Sequence, residues 1–461
     1  MTRRPPTDAA RRAFLRRGAL LGLAGSATPW ALNLSLLGDA AAASNPDDYK
    51  ALVCVFLYGG NDHGNTLVPV DSAGYAAYSS IRGELALSKA DLAATTLTPV
   101  QALPGGQQYA LAPSLSPLKG LWDSQRLAVQ LNVGPLMQPT TVAQYQARSV
   151  PLPPKLFSHN DQQSTWQSDL PEGAVTGWGG RIGDLMLAGN GGSVFSCISV
   201  TGNAVFLSGQ QAVQYQLGSN GAVAINGLKS ALYGSTAAQA ALRSLVTAPR
   251  SHLFADEWTR ITRRSVDAEM QVTGALAALP TLATPFDSDN ALALQLRMVA
   301  RMIAARSALG PRRQVFLVSL GGFDTHSDLL DTHPVLLAKV AGALKSFHDA
   351  TVELGVERQV TAFTASDFGR TLSVNGDGSD HGWGSHHLVL GGAVKGGRYY
   401  GQPPAVAVNG PDDVGQGRLL PTTSVDSYAA TLAAWFGVAD SELATVVPRI
   451  GNFDTRNLGF V

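Results

Sequence analysis

Three stretches of this chain run through apolar residues without polar alternation, and each stops at glycine or a small residue followed by a carboxylate. Residues 51–58 lead into Gly59-Gly60-Asn61-Asp62, residues 314–320 into Gly321-Gly322-Phe323-Asp324, and residues 359–364 into Ala365-Ser366-Asp367. A strand that is apolar on both faces has to be covered on both. Apolar runs at 127–133, 194–200 and 387–390 read as further strands. Helical periodicity recurs at 73–84, 257–279, 290–309, 334–354 and 426–436. Alternating strands and helices of this kind predict an α/β fold with a largely parallel sheet between two helical layers. The Gly-, Gln-, Ser- and Asn-rich segment 202–235 reads as a small peripheral insertion, and no repeat of 20 to 50 residues is visible.

In an open parallel sheet the carboxyl ends of the strands line one crevice, where ligands bind. Asp62, Asp324 and Asp367 are therefore expected to converge across hundreds of residues of sequence. A single aspartate after glycine is ordinary turn chemistry. Histidines set these apart: His326 follows Asp324 by two residues, and Asp380-His381 with His386 follow Asp367 in a glycine-rich stretch. Carboxylate oxygen mixed with imidazole nitrogen suits a divalent cation. Asp62, Asp324, His326, Asp367, Asp380, His381 and His386 form the expected ligand set for one or two ions, Zn, Mn, Mg or Ca, and two ions about 4 Å apart would clamp an ester. Arg370 either grips an anionic group bidentately or pairs with Asp377 or Asp380. Asn61 is placed to orient a ligand, and His63 lies behind the ligands or in solvent.

A second polar stretch, Phe157-Ser158-His159-Asn160-Asp161-Gln162-Gln163-Ser164, is followed by Thr165-Trp166 and by Gly177-Trp178-Gly179-Gly180-Arg181. It is dense in donors and acceptors and flanked by aromatics, as a pocket wall is. Ser158, Ser164 or a metal-bound hydroxide would be the nucleophile, a serine being activated by metal and by the positive end of the helix; the same residues also read as an ordinary capped surface helix. His333 reads as a polar residue at a helix start.

Upstream, Arg11-Arg12 stands before an apolar segment, 18–37, that closes on Ala40-Ala41-Ala42-Ala43. This reads as a twin-arginine export signal over 1–43, with the folded domain over 44–461. The alternative is a retained membrane anchor, which Gly22, Gly25, Pro29, Asn33 and Ser35 argue against. No later apolar run is long enough to span a bilayer, so the mature protein is expected not to be membrane-spanning. The first 43 residues carry a net charge of +4, which leaves −4 on the remainder of a chain whose total is zero. There is no basic surplus for nucleic acid. Cys54 and Cys197 both fall in apolar strands and are expected to be buried free thiols.

Taken in order, the twin-arginine signal, Tyr-Gly-Gly-Asn-Asp at 58–62, Phe-Ser-His-Asn-Asp-Gln-Gln at 157–163, Gly-Gly-Phe-Asp-Thr-His at 321–326, Ser-Asp-Phe-Gly-Arg-Thr at 366–371 and Asp-His-Gly-Trp-Gly at 380–384 resemble the secreted family 1501 of domains of unknown function. That family is similar to the alkaline phosphatase and sulfatase superfamily. The resemblance implies a three-layer α/β/α sandwich carrying one or two metals at its strand ends. It implies Asp62 as the carboxylate after the first strand, Asp324 with His326 or His333 on one ion, Asp367, Asp380 and His381 on the other, and His386 as the last histidine. Two departures stand out. Phe368 occupies the place directly after aspartate where a phosphatase has histidine, and no Cys-x-Pro-x-Arg sulfatase nucleophile motif occurs.

The function expected on these grounds is an exported metal-dependent hydrolase of phosphate or sulfate esters. Its substrate would be an anionic small molecule or polysaccharide ester, and its partner during export the twin-arginine translocase. The alternative is a catalytically degenerate secreted protein of the same fold that binds or assembles with an envelope partner. A nucleotide-binding protein is excluded by the absence of Gly-Lys-Ser/Thr after Gly59-Gly60.

Overall fold

The computed structural model describes residues 48–461, so the export signal expected over 1–43 lies outside the described residues. The first half contains β1 (Lys50–Leu57), β2 (Leu67–Pro69), α1 (Ser72–Arg82), β3 (Tyr109–Leu111), β4 (Leu127–Gly134), α2 (His159–Ser168), α3 (Trp178–Met186), β5 (Cys197–Ser199), β6 (Tyr215–Gly218), β7 (Gly221–Ala222) and α4 (Leu253–Ala277). The second half contains α5 (Ala291–Ala304), β8 (Arg313–Leu320), α6 (Leu329–Glu353), β9 (Val360–Ser366), β10 (Arg370–Val374), β11 (Ser379–His381), β12 (Ser385–Gly391), β13 (Tyr399–Tyr400), β14 (Thr423–Ser424) and α7 (Val425–Phe436).

Ten strands form the main sheet in the order β13-β4-β12-β9-β1-β8-β5-β6-β7, with β14 also paired to β4. The centre is parallel: β1 runs alongside β8 from Lys50 opposite Arg313 to Leu57 opposite Leu320, and alongside β9 from Ala51 opposite Val360 to Leu57 opposite Ser366. β12 is antiparallel to both β9 and β4. The mixed α/β architecture with a mostly parallel sheet agrees with the sequence reading.

The unalternated apolar strands are explained by two separate cores. Ala51, Val53, Val55 and Leu57 face one core with Leu296 and Val299 of α5 and Leu337, Val340 and Leu344 of α6. Leu52, Cys54 and Phe56 face the other with Ile182 of α3 and Tyr428, Leu432 and Phe436 of α7. Each buried aliphatic or aromatic side chain contributes roughly 1.5–3 kcal/mol, and β1 has no solvent face on which a polar residue could sit. Cys54 and Cys197 are free, buried and on the same side of the sheet.

Several boundaries differ from the sequence reading. The strand expected at 194–200 is ordered as β-structure only over Cys197–Ser199. α6 begins at Leu329, so His333 lies inside the helix instead of opening it. The segment 202–235 extends the sheet by β6, which pairs with β5, and by β7. His386 and His387 belong to β12, a strand inside the sheet, and not to the loop that carries His381. Among the described residues no helix is long and apolar enough to cross a membrane.

The ends of β1 and β8 come together through glycine. Gly59 has φ +116°, and a Cβ on it would lie 2.4 Å from the Asp324 nitrogen and 2.9 Å from the Phe323 carbonyl carbon. The close approach is sealed by the Phe323 N–H donating to the Tyr58 carbonyl at 3.1 Å. Gly59→Ala is therefore expected to lower unfolding free energy by about 3 kcal/mol, from the positive φ and from overpacking against backbone that cannot move aside. Urea unfolding followed by circular dichroism checks this; an unchanged midpoint would mean the two strand ends are not held in contact.

Candidate metal centre

Three strand ends and one helix start deliver the polar side chains at this edge. The turn after β8 carries Asp324 and His326, the turn after β9 carries Asp367, the β10–β11 hairpin places Arg370 opposite His381, and α2 begins at His159. The His159, Asp324 and His381 ligand atoms all lie within 4.8 Å of one another. His159 Nε2 is 3.4 Å from Asp324 Oδ2, and His381 Nε2 is 3.2 Å from Asp324 Oδ1. His326 Nε2 joins them at 3.2 Å from Asp324 Oδ1 and 2.9 Å from His381 Nε2.

The far nitrogen of each imidazole is engaged, and this fixes which lone pair is free. His381 Nδ1 donates to the Phe157 carbonyl at 2.7 Å. His159 Nδ1 donates to Asp367 Oδ2 at 2.7 Å. His326 Nδ1 faces Asp380 Oδ1 at 3.2 Å, an oxygen that also accepts from Asn375 Nδ2 at 2.6 Å. All three Nε2 atoms then point toward the Asp324 carboxylate, an arrangement of acceptors that only a proton or a cation between them stabilises. Anchoring of the outer nitrogen by a carboxylate or carbonyl is the pattern that holds metal-binding histidines in one tautomer.

Charge at the cluster is shared out unevenly. Burial would raise the Asp324 pKa, but Arg370 Nη1, donating to Oδ1 at 2.6 Å, and the neighbouring His326 and His381 together lower it. The hydrogen bond to Asp367 raises the His159 pKa against its partial burial. Burial lowers that of His381, with His159 and Arg370 adding to the effect. Phe368 is fully buried, with its ring 4.9 Å from that of His159 and 4.5 Å from that of His381. It forms an apolar floor under both imidazoles where the superfamily resemblance leads one to expect a histidine.

The other residues singled out by sequence lie as follows. Asp367 is fully buried and holds His159 and Gln163 Nε2, both at 2.7 Å through Oδ2, while its Oδ1 has no partner among the described residues. Asp380 supports His326. Arg370 is fully buried and engages Asp324, not Asp377 or Asp380; the same Nη1 also donates to the Gly59 carbonyl at 3.2 Å, and Nε and Nη2 donate to Ser379. Asp62 stands apart from the cluster: its two oxygens take Arg82 Nη1 and Nη2 at 2.8 and 2.6 Å, and both residues are buried. His386 Nδ1 accepts from the Asn132 N–H at 3.0 Å inside the sheet. Ser158 Oγ donates to Asp161 Oδ2 at 2.9 Å, and Ser164 Oγ donates to the Pro171 carbonyl at 2.9 Å on the outer side of α2. Asn61 Oδ1 meets His333 Nε2 at 2.9 Å in the buried layer beneath.

His159 is the residue that motif reading passed over. It lay in a stretch already marked as a pocket wall, and the carboxylate nearest it in sequence, Asp161, is bonded to Ser158 and not to it. The available signal was the helix period, since positions 159 and 163 share the face of α2 that meets Asp367.

A family described as "Protein of unknown function (DUF1501)" matches residues 49–447. No curated protein is matched. Among solved structures, the chain is similar to the lipoteichoic acid synthase LtaP from Listeria monocytogenes at 9% identity and TM-score 0.34, covering 89% of this chain and 78% of that one. It is also similar to the PsFucS1 sulfatase from Pseudoalteromonas sp. at 11% identity and TM-score 0.35, covering 88% and 72%. A third, Ps i-CgsB in complex with k-i-k-neocarrahexaose, gives 11% identity and TM-score 0.35 over 88% and 76%. At such values the likeness assigns neither substrate nor reaction.

The buried layer has its own pH dependence. Burial pushes His63 and His333 down to about 4 and His387 to about 3, and lowers His386 well below its usual value. Their folded pKa values lie below the unfolded ones, so the stability held by keeping these rings neutral is present above pH 6.5 and is lost as pH falls toward 4. Each adds up to about 1.4 kcal/mol per pH unit to the slope. Urea midpoints measured with chelator between pH 7 and pH 4.5 are expected to fall with a slope of at least two protons. Asp62 acts only at lower pH: burial raises its pKa, Arg82 more than offsets this and holds it at about 2, and its contribution is lost below pH 4. A flat profile between pH 7 and 5 would rule out the neutral buried histidines.

Proposed function

The chain belongs to that family of unknown function, and from this premise and the geometry of the cluster we propose that it is an exported, metal-dependent hydrolase of phosphate or sulfate esters. One observation carries the reading: three imidazole Nε2 atoms and one carboxylate converge, and the far nitrogen of each ring is already bonded. His159, Asp324, His326 and His381 would hold a divalent cation. Such an ion supplies Lewis acidity toward an ester oxygen.

The chain's own residues do the rest. Asp367 keeps the His159 ring turned toward Asp324, and the Phe157 carbonyl does the same for His381. Arg370, anchored on Ser379 and the Gly59 carbonyl, presents a fixed positive charge beside Asp324, where it would steady a sulfate or phosphate oxygen. Phe368 excludes water from beneath the rings, which strengthens every charge interaction above it. Ser158 directly precedes His159, and its hydroxyl would have to leave Asp161 to act as nucleophile. The substrate would be an anionic ester of a small molecule or polysaccharide, met after export through the twin-arginine translocase. A second reading, a catalytically degenerate protein that binds an envelope partner, is favoured by the position of Ser164, whose hydroxyl is bonded to Pro171 on the far side of α2.

Metal analysis of the purified protein, combined with turnover of nitrophenyl phosphate and nitrophenyl sulfate, tests the proposal. Asp324→Ala and His381→Ala are expected to lose the ion, and Asp367→Asn to weaken its binding about 10- to 100-fold by releasing His159. Asp62→Asn should leave metal content unchanged while costing about 3–5 kcal/mol of stability, because it strands a buried guanidinium. No bound metal, and no turnover after addition of Zn, Mn, Mg or Ca, would sink the enzyme reading. Metal without turnover would select the degenerate one.

A further inference from the structure

At the opposite edge of the sheet lies a cavity of about 1040 Å³ that the cluster does not use. Its position follows from register. Leu390 of β12 pairs with Leu127, the first residue of β4, and Gly391 pairs with Thr361 near the start of β9. The cavity is lined by residues flanking Leu127 and Gly391, so it opens at the amino end of β9, whereas Asp367 follows its carboxyl end. Seven residues of extended chain separate the two sites by roughly 20 Å.

The lining is basic. It includes Arg126, Arg358, Lys395 and Arg398 and contains no aspartate or glutamate. None of the four is paired with an Asp or Glu among the described residues. Arg126 Nη1 donates to the Gly392 carbonyl at 3.0 Å, and Lys395 Nζ donates to the carbonyls of Gly459 and Val461 at 3.2 and 3.0 Å. These bonds orient Arg126 and Lys395. Tyr399 also lines the cavity, and its buried hydroxyl has no partner among the described residues. On a chain whose described part carries no basic surplus, four cations around one concavity form a local field that draws anions. Guanidinium forks match the geometry of phosphate and sulfate oxygens, and a volume at the upper end of small-molecule sites holds more than one such group.

We propose that this cavity is a binding site for a polyvalent oxyanion, a soluble ligand carrying two or more sulfate or phosphate groups, separate from the cluster. Two sources share that chemistry, a multiply sulfated saccharide and a phosphorylated metabolite, and the test separates them.

Calorimetric titration of the full chain with a disulfated disaccharide and with inorganic pyrophosphate is the experiment. At least one probe is expected to bind at low salt, ten-fold or more tightly than inorganic sulfate, with affinity falling steeply as salt is raised. The tighter probe identifies the source. Arg126→Gln/Arg358→Gln/Arg398→Gln, checked for an unchanged thermal midpoint, should weaken binding at least ten-fold, while Asp324→Ala should leave it unchanged. If the triple variant does not fold, Arg358→Gln, at an exposed position, should still weaken binding about three-fold. Failure of both probes to bind would overturn the proposal. So would affinity unaffected by the arginine variants, or binding that Asp324→Ala abolishes.

Discussion

The cluster depends on one buried cation. Arg370 has no exposed surface, yet its guanidinium touches three of the segments that have to agree: the Gly59 carbonyl after β1, Asp324 after β8, and Ser379 on the hairpin that carries His381. A buried charge is costly unless it is paired and fully hydrogen-bonded. The guanidinium therefore stabilises only the arrangement in which those segments converge on it. Its five donors in a planar fork make this possible, which a lysine ammonium at the same place could not reproduce. Gly59 belongs to the same constraint, because any side chain there would hold the Asp324 backbone away from Arg370.

Below this level lies a second polar layer that has no part in the convergence. Asp62, Arg82, His63, Asn61 and His333 are all buried and bonded among themselves, apart from His63, whose two ring nitrogens have no partner among the described residues. Such a layer is held by mutual satisfaction of its members, and its histidines are neutral because charging them would require burying the charge. The edge of the sheet is thus stratified. Exposed or half-exposed imidazoles sit above, where a cation can enter, and neutral buried ones sit below.

What was legible in the sequence follows from this stratification. Strands buried on both faces announce themselves by unbroken apolar runs, and the residue after each run inherits a position at the strand end; Asp324 and Asp367 were found that way. Asp62 obeys the same rule of position. What sequence did not disclose is that Arg82, twenty residues on, turns inward from the end of α1 to take both of its oxygens. The pairing of a carboxylate is a tertiary fact, and nothing local to Asp62 distinguishes a free one from one already engaged. His386 was misplaced for a related reason. Its neighbours His381 and Gly384 read as loop, whereas Ser385 already pairs with Val133, and the strand turns the His386 ring into the sheet. His159 was hidden by the reverse effect, since its carboxylate partner lies 208 positions away and only the fold brings the two together.

These placements also bear on how many cations the proposed metal site would hold. A two-ion centre needs carboxylates enough to neutralise four positive charges and to bridge between the ions. Here Asp62 is committed to Arg82, Asp367 spends its one engaged oxygen on His159 and Gln163, and Asp380 is engaged with His326 and Asn375. Among the described residues Asp324 alone faces the three Nε2 atoms, and it already shares an oxygen with Arg370. One carboxylate and three imidazole nitrogens suit a single ion of the borderline kind that imidazole prefers, and Arg370 supplies in fixed form the positive charge that a second ion would have brought. By this argument Phe368 belongs to the design: a histidine there would add a ligand for which there is no second ion, whereas a phenyl ring keeps His159 and His381 packed at the angle their outer hydrogen bonds require.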